Sequence, residues 1–310
     1  MSLAFVFPGQ GSQSIGMLAE LQPLNTIVHK TFAEASEILG YDLWQLVQNG
    51  PEEQLNDTRR TQPAMLVAGI AVWRLWKARG GPAPQYLAGH SLGEYSALVA
   101  ADAIRFADAV RLVEQRGEYM QAAVAPGAGA MAAILGLDDE QVIEVCAGAA
   151  GREHVSAANF NAPGQVVIAG DSAAVDRAIE AAKSTGAKRA IPLPVSVPSH
   201  CELMRPAAER LAEQLESITI DSPAIPVIHN ADVSTHELAG DIRRALTEQL
   251  FRPVRWVETI KILKDKGVQH VVECGPGKVL AGLNKRIDRE MEALPVHDPA
   301  SLETALAAVS

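Results

Sequence analysis

The sequence predicts an α/β fold in which a small domain is inserted into a larger one that contains a parallel sheet. Short apolar runs alternate with longer stretches of helical period along most of the chain, which is the order typical of a parallel sheet. In the middle of the chain this rhythm changes to shorter elements bordered by loop-forming glycines and prolines. The length of 310 residues also favours two domains.

The large domain is predicted to contain a sheet of short, buried strands. Four apolar runs have the length and composition of such strands: Leu3–Phe7, Gln85–Ala88, Pro226–His229 and His270–Glu273. Because these runs occur on both sides of the central segment, we expect residues 1–125 and 198–310 to fold together as one discontinuous domain.

The central segment, residues 126–197, has a different pattern. Its elements run strand, helix, strand, strand, helix, strand: Ala130–Gly136, Asp138–Ala149, His154–Asn159, Gln165–Ala169, Ser172–Ser184 and Lys188–Leu193. This is the ferredoxin-like order. Clefts between domains are a common place for ligands, so we expect the functional site between this domain and the large one.

Composition and charge exclude several classes of protein. Hydrophobic residues make up 48% and charged residues 21%, which is neither disordered nor fibrous. The 27 basic against 37 acidic residues disfavour a nucleic-acid surface. No apolar stretch approaches the ~18 residues of a membrane span, and the first apolar run is too short for a signal peptide. We expect a soluble protein that binds neither nucleic acid nor membrane.

The three cysteines indicate no disulfide framework and no metal site. Cys146, Cys201 and Cys274 are widely spaced and form no CxxC pair. The sequence therefore predicts no metal and fits the reducing cytoplasm. A monomer is expected, since no unexplained amphipathic helix or repeat demands an interface.

A nucleophile is predicted at Ser91. The run Gly89-His90-Ser91-Leu92-Gly93 follows an apolar strand and precedes a helical run, as a G-x-S-x-G nucleophile elbow requires. The glycines allow a sharp bend, and the following helix N-terminus favours developing negative charge. The alternative interpretation is a tight turn with a capping serine.

A serine nucleophile needs a base, and histidine suits neutral pH. His200 is favoured among eight histidines because it ends a segment that re-enters the large domain, where a cleft-lining loop is expected. His229, at a strand end, is the second candidate, and a structural role is favoured for His90. For each histidine, a surface or hydrogen-bonded core position is the alternative.

Two glycine-rich segments do not match nucleotide-binding motifs. The segment Pro8–Gln13 follows a strand and is interpreted as a turn, a phosphate loop or half of an oxyanion hole. Ser14 stands where a dinucleotide fingerprint needs its third glycine. The segment Gly275–Lys278 lacks the hydroxyl residue that follows the lysine of a P-loop. Nucleotide hydrolysis is therefore excluded.

A buried cation is predicted at Arg116. On the helix Phe106–Ala123 this residue falls between Ala109 and Leu112, at the edge of the apolar arc. A buried guanidinium needs a partner. An internal Asp or Glu is one interpretation, and a substrate carboxylate held by two parallel hydrogen bonds is the other.

Together these segments resemble one enzyme family. The segments that carry the resemblance are Phe7–Gln13, Gly89–Glu94, Arg116, Val197–His200 and Gly275–Lys278. Over nearly its whole length the chain resembles the malonyl-CoA:acyl carrier protein transacylases of bacterial type II fatty-acid synthesis, an acyltransferase family. The resemblance implies a hydrolase-like α/β domain with a ferredoxin-like insertion. It implies malonyl-CoA and the acidic acyl carrier protein as partners, the latter transient, and no cofactor, since coenzyme A enters as a thioester substrate.

The resemblance also implies roles for individual residues. Ser91 is the acylated nucleophile and His200 its general base, and Arg116 binds the malonyl carboxylate. The backbone N–H groups of Gln10 and Leu92 form the oxyanion hole. The remaining positions are Gln249, whose backbone carbonyl holds the second imidazole nitrogen, and Gln165, which lines the pocket. The implied reaction is ping-pong, through a malonyl ester of Ser91.

Two basic clusters are candidates for docking the acidic carrier protein. They are Lys188-Arg189 in the small domain and Lys285-Arg286, with Arg289, near the C-terminus. Solvated charged faces are the alternative. Two other functions compete with transfer: a serine esterase or thioesterase that uses the same elbow, and a non-catalytic acyl-binding protein.

Overall fold

The computed structural model of this chain describes residues 2–24, 26–195 and 197–309. The predicted domain limits at residues 1 and 310 lie outside the described residues. Nine strands are formed in the described part: β1 (Leu3–Phe7), β2 (Tyr86–Gly89), β3 (Gly129–Leu135), β4 (Val155–Ala162), β5 (Gln165–Asp171), β6 (Arg189–Pro192), β7 (Val227–Ile228), β8 (His270–Cys274) and β9 (Glu292–Val296).

The same residues form thirteen α-helices: α1 (Ile27–Leu39), α2 (Leu43–Asn49), α3 (Glu52–Leu55), α4 (Thr58–Ala78), α5 (Gly93–Ala100), α6 (Phe106–Ala123), α7 (Asp139–Ala150), α8 (Ser172–Thr185), α9 (Arg205–Glu216), α10 (Ala239–Gln249), α11 (Trp256–Asp265), α12 (Val279–Ile287) and α13 (Pro299–Ala308). No described helix is long and apolar enough to cross a membrane.

Five strands form a parallel sheet in the order β7-β2-β1-β8-β9. All residues of β1 are buried, as expected for a strand covered on both faces. On one face Phe5 packs edge-on against Trp73 and Trp76 of α4, at 5.3 and 5.1 Å between ring centroids. The predicted parallel sheet is thus confirmed.

The parallel sheet differs from the prediction at its two edges. Strand β9 was not predicted, because Pro295 is atypical of a strand interior; at an edge its missing N–H is tolerated. Strand β7 is only two residues long, shorter than the predicted run. Both differences concern edge strands, where fewer contacts impose a pattern on the sequence.

The central segment forms an antiparallel sheet in the order β4-β5-β3-β6, with α7 and α8 in the connections. The six predicted elements are all present in the predicted order, which is the ferredoxin-like one. A separate apolar cluster that includes Ile134, Val142, Val166, Ile168 and Val175 packs between this sheet and its helices. The predicted fold class is confirmed, whereas the division at residues 126 and 197 stays a prediction.

Strand β4 connects the antiparallel sheet to the rest of the molecule. The backbone N–H of Phe160 donates to the carbonyl of Val254 at 2.9 Å, and the N–H of Val254 donates to Ala158 at 2.9 Å. The pairing of β4 with β5 is irregular around Asn159 and Phe160. This end of β4 lies beside the carboxyl edge of the parallel sheet, where the functional site forms.

Candidate active site

Ser91 lies in a sharp turn between β2 and α5. Its φ of 51° is in the left-handed region, which costs a non-glycine residue about 1–3 kcal/mol. A Cβ at Gly89 would lie 1.8 Å from the carbonyl carbon of Gly93, and a Cβ at Gly93 would lie 2.0 Å from the Phe7 carbonyl oxygen. Both glycines are therefore required sterically, and the turn presents the Ser91 hydroxyl at the end of the strand.

His200 is hydrogen-bonded on both ring nitrogens. Its Nε2 lies 2.7 Å from Ser91 Oγ, and its Nδ1 lies 2.7 Å from the backbone carbonyl of Gln249. A carbonyl oxygen only accepts, so Nδ1 carries the proton and Nε2 is free to accept one from the serine hydroxyl. This geometry is suited to proton transfer from Ser91 Oγ to His200.

The imidazole of His200 is neutral in this site. Burial, and then the nearby charge of Arg116, lower the pKa of His200 to about 3. At neutral pH the imidazole is therefore uncharged, and its Nε2 is free to receive a proton.

Arg116 is buried, and no carboxylate of the described residues forms a salt bridge with it. Only 1% of its surface is exposed, and its terminal nitrogens donate to the side-chain oxygens of Gln62 at 2.8 Å and Gln249 at 2.9 Å. Within the described part of the chain it forms no salt bridge, and its Nε has no hydrogen-bond partner. The internal Asp or Glu that the sequence allowed is thus replaced by two amides, which leave the positive charge unneutralised.

A cavity of about 290 Å³ is bordered by Ser91, His200 and Arg116 and lies between the two sheets. From the side of the parallel sheet it is lined by Gln10, Ser91, Leu92, Arg116, Met120 and His200. The antiparallel sheet and the segment after it supply a largely apolar wall: Met131, Ala133, Asn159, Asn161, Gln165, Val167, Leu193 and Val195. The predicted nucleophile, base, oxyanion-hole residues and carboxylate-binding residue therefore all border one cavity.

The basic residues predicted to dock a carrier occupy different positions. Lys188, Arg189 and Lys285 are exposed and do not line this cavity. Arg286 differs, because its guanidinium donates to the side-chain oxygen of Gln165 and to the carbonyl of Pro163. It therefore joins α12 to the cavity wall.

The other two candidate histidines have partners of their own. His90 is hydrogen-bonded through Nε2 to Asn161 Oδ1 at 2.8 Å, and burial lowers its pKa. His229 lies 2.7 Å through Nδ1 from a carboxylate oxygen of Glu94. Neither replaces His200 at Ser91.

Three buried residues that the sequence analysis did not single out support the site: Gln62, Glu94 and Asn230. The side chain of Asn230 accepts the backbone N–H of Ser91 at 2.7 Å, and Glu94 in turn accepts the backbone N–H of Asn230 at 2.9 Å. The sequence contained one signal for Glu94, since it is a carboxylate in the otherwise uncharged run Gly93–Ala100. The structure buries all eight residues of this run. Asn230 and Gln62 had no comparable signal.

The described residues form no cluster suited to a metal ion. Among the described residues no group of three or more His, Cys, Asp or Glu is placed to hold a metal ion. The three cysteines are buried free thiols, and burial raises the pKa of Cys146 and of Cys201 to about 12. At neutral pH these thiols are protonated and are poor nucleophiles.

Comparison with known proteins identifies close relatives. Residues 4–298 match the family described as acyl transferase domain. The malonyl CoA-acyl carrier protein transacylase of Salmonella typhimurium is 57% identical over 303 residues, 98% of each chain. The solved transacylase of the same name from Coxiella burnetii has a TM-score of 0.98 at 56% identity, covering 100% of this chain and 98% of that one. A solved malonyl-transacylase in complex with a type II PKS acyl-carrier protein also gives 0.98 at 56% identity, covering 99% of this chain and 100% of that one.

Proposed function

The chain belongs to the acyl transferase domain family and transfers malonyl groups from coenzyme A to acyl carrier protein, and we propose that transfer runs in two steps through an ester on Ser91. The resemblance drawn from the sequence motifs is confirmed by the full-length relatives. We also propose that the protein acts as a monomer in the cytoplasm, because one chain supplies every group of the site and its cysteines are free thiols.

In the first step malonyl-CoA acylates Ser91. His200 Nε2 accepts the hydroxyl proton as Ser91 Oγ attacks the thioester carbonyl, and the carbon–sulfur bond then breaks. The leaving thiolate of coenzyme A then takes this proton from His200. The Gln249 carbonyl stabilises the imidazolium between these events, because it accepts the Nδ1 proton.

In the second step the thiol of acyl carrier protein attacks the ester. His200 receives the thiol proton and returns it to Ser91 Oγ as the ester bond breaks. Both steps pass through an oxyanion, which we assign to the backbone N–H groups of Gln10 and Leu92 because both residues border the same cavity. Each such donor contributes about 10²–10³ in rate in other enzymes.

Selection of a charged acyl group is assigned to Arg116. Its guanidinium is buried, borders the cavity and has no carboxylate partner within the described residues, so a malonyl carboxylate completes its coordination. The same charge lowers the pKa of His200. A bound carboxylate offsets that charge, and the base becomes stronger when the correct acyl group is present.

The observation that carries this proposal is a hydrogen-bonded Ser91 and His200 in one cavity with an unneutralised arginine. Initial rates measured against malonyl-CoA and acyl carrier protein test it. Parallel double-reciprocal lines are expected. Intersecting lines would contradict the two-step reaction, and release of free malonate as fast as transfer would indicate a thioesterase.

A further inference from the structure

The carboxylate of Glu94 is the centre of a buried hydrogen-bond network directly behind the nucleophile. One of its oxygens lies 2.7 Å from His229 Nδ1. The other accepts two hydrogen bonds, from the backbone N–H of Asn230 at 2.9 Å and from Gln249 Nε2 at 2.8 Å. Glu94 is fully buried, so hydrogen bonds from these donors replace those that its carboxylate would make with water.

Two of these partners hold the backbone of Ser91 from both sides. Asn230 Oδ1 accepts the Ser91 N–H at 2.7 Å, and Gln249 Nε2 donates to the Ser91 carbonyl at 2.9 Å. Ser91 has a left-handed φ that its own side chain disfavours. Besides the in-turn bond from the Glu94 N–H to the Ser91 carbonyl at 3.0 Å, the strained turn is therefore held by two hydrogen bonds from outside it. Glu94 contacts both residues that make them, through the backbone N–H of Asn230 and the side chain of Gln249.

The network also reaches the cation that faces the cavity. Gln249 Oε1 accepts from Arg116 at 2.9 Å while its Nε2 donates to Glu94. The amide thus separates the guanidinium from the carboxylate. Glu94 therefore lies one amide away from the guanidinium and makes no direct bond to it, so Arg116 remains available to bind a substrate carboxylate.

We infer that Glu94 is a positioning residue for acyl transfer, which holds Ser91 in its reactive conformation through Asn230 and Gln249. The inference rests on the proposed role of Ser91, but its test needs no malonyl-CoA. In Glu94→Gln, an NH₂ group replaces one of the two carboxylate oxygens. It cannot accept the hydrogen bonds of the donors that face it. A shift of about 1 Å in a reacting atom costs about 100-fold in rate.

A small uncharged sulfonyl fluoride measures the reactivity of Ser91 directly. The serine oxygen forms a bond to sulfur, fluoride leaves, and His200 takes the proton. We expect Glu94→Gln to be labelled at Ser91 about 100-fold more slowly than the wild type, with helix content and cooperative unfolding retained. The pH midpoint of labelling should not change. If the substitution merely loosened the site, water would reach His200, and its pKa and the pH midpoint would both rise.

Glu273→Gln is the matched control. Glu273 is also fully buried, near the end of a strand that leads into a helix, but its oxygens accept the backbone N–H groups of Leu280 and Ala281 in that helix. Its labelling rate should equal that of the wild type. Equal rates for Glu94→Gln and the wild type would overturn the inference, as would an equal slowing in both variants.

Asn230→Ala tests the same inference if Glu94→Gln does not fold. It removes the acceptor of the Ser91 N–H and leaves the carboxylate in place, and slower labelling is again expected. Wild-type labelling in a folded Asn230→Ala would contradict the inference. A wild-type protein that the sulfonyl fluoride labels but malonyl-CoA does not acylate would refute the proposed function while leaving the positioning role intact.

Discussion

Two strand-to-helix turns of the parallel sheet, β2–α5 and β8–α12, have similar parts but different partners. Each has glycines and a fully buried glutamate, Glu94 in one and Glu273 in the other. Glu273 accepts hydrogen bonds from the helix of its own turn. Glu94 instead lies within hydrogen-bond distance of three residues outside its turn, two of which contact Ser91.

The difference shows what makes a buried carboxylate part of a site. Burial raises the pKa of Glu273 to about 7, because the hydrogen bonds from backbone N–H groups only partly offset the loss of water. We therefore expect Glu273 to affect the free energy of unfolding. Glu94 is connected to reacting groups through side chains, and we expect changes at this turn to affect rate.

The largest effect is expected at Arg116, which the side chain of Gln249 connects to Glu94 of the β2–α5 turn. Arg116→Ala should reduce transfer of malonyl by about 10²–10³-fold, equivalent to ~3–4 kcal/mol, because loss of one partner leaves the substrate carboxylate buried without a cation. Transfer of uncharged acetyl should fall much less. The measurement is kcat/KM for malonyl-CoA and acetyl-CoA.

Arg111→Ala is the control for that variant. Arg111 lies on the same helix but is largely exposed, and it approaches Asp108 only at 3.9 Å. Arg111→Ala should leave kcat/KM unchanged for both malonyl-CoA and acetyl-CoA. Equal losses of malonyl and acetyl transfer in Arg116→Ala would contradict the assigned role.

A second effect concerns stability at the β8–α12 turn. The pKa of Glu273 is about 7 when folded and 4.5 as the ordinary value, so the folded state binds more protons between these pH values. Wild-type stability therefore falls as pH rises from 4.5 to 7, by up to about 3 kcal/mol from this group. Glu273→Gln should lack that part of the slope.

Urea unfolding at several pH values measures this slope. The free energy of unfolding of Glu273→Gln, relative to the wild type, should increase as pH rises through that window. A constant difference between the two proteins would show that Glu273 does not titrate as described.

The smallest effects are expected at the basic surface. Arg189→Glu should slow transfer to acyl carrier protein by about three- to tenfold at low salt and less at high salt, because exposed charges are screened. It should leave acylation by malonyl-CoA unchanged. Arg286→Glu should slow both steps, since Arg286 also holds Gln165 at the cavity. Stopped-flow rates of the two half-reactions separate these outcomes.

The sequence predicted the fold because most buried strands have their own apolar runs and the inserted segment has a complete pattern. It did not reveal β9, an edge strand with an internal proline. It predicted Ser91 from a local turn motif and Arg116 from its place on a helix. It could not reveal Asn230 and Gln62, because these amides act through contacts between distant segments and amides are common on surfaces as well as in sites.

The most direct test of the account is the intact mass of the protein after brief mixing with malonyl-CoA alone, with Ser91→Ala in parallel. We expect one malonyl adduct, mapped to the peptide that contains Ser91, absent from the variant and discharged by acyl carrier protein. A folded wild-type protein that gains no adduct, or one whose adduct lies on another residue, would contradict transfer through Ser91.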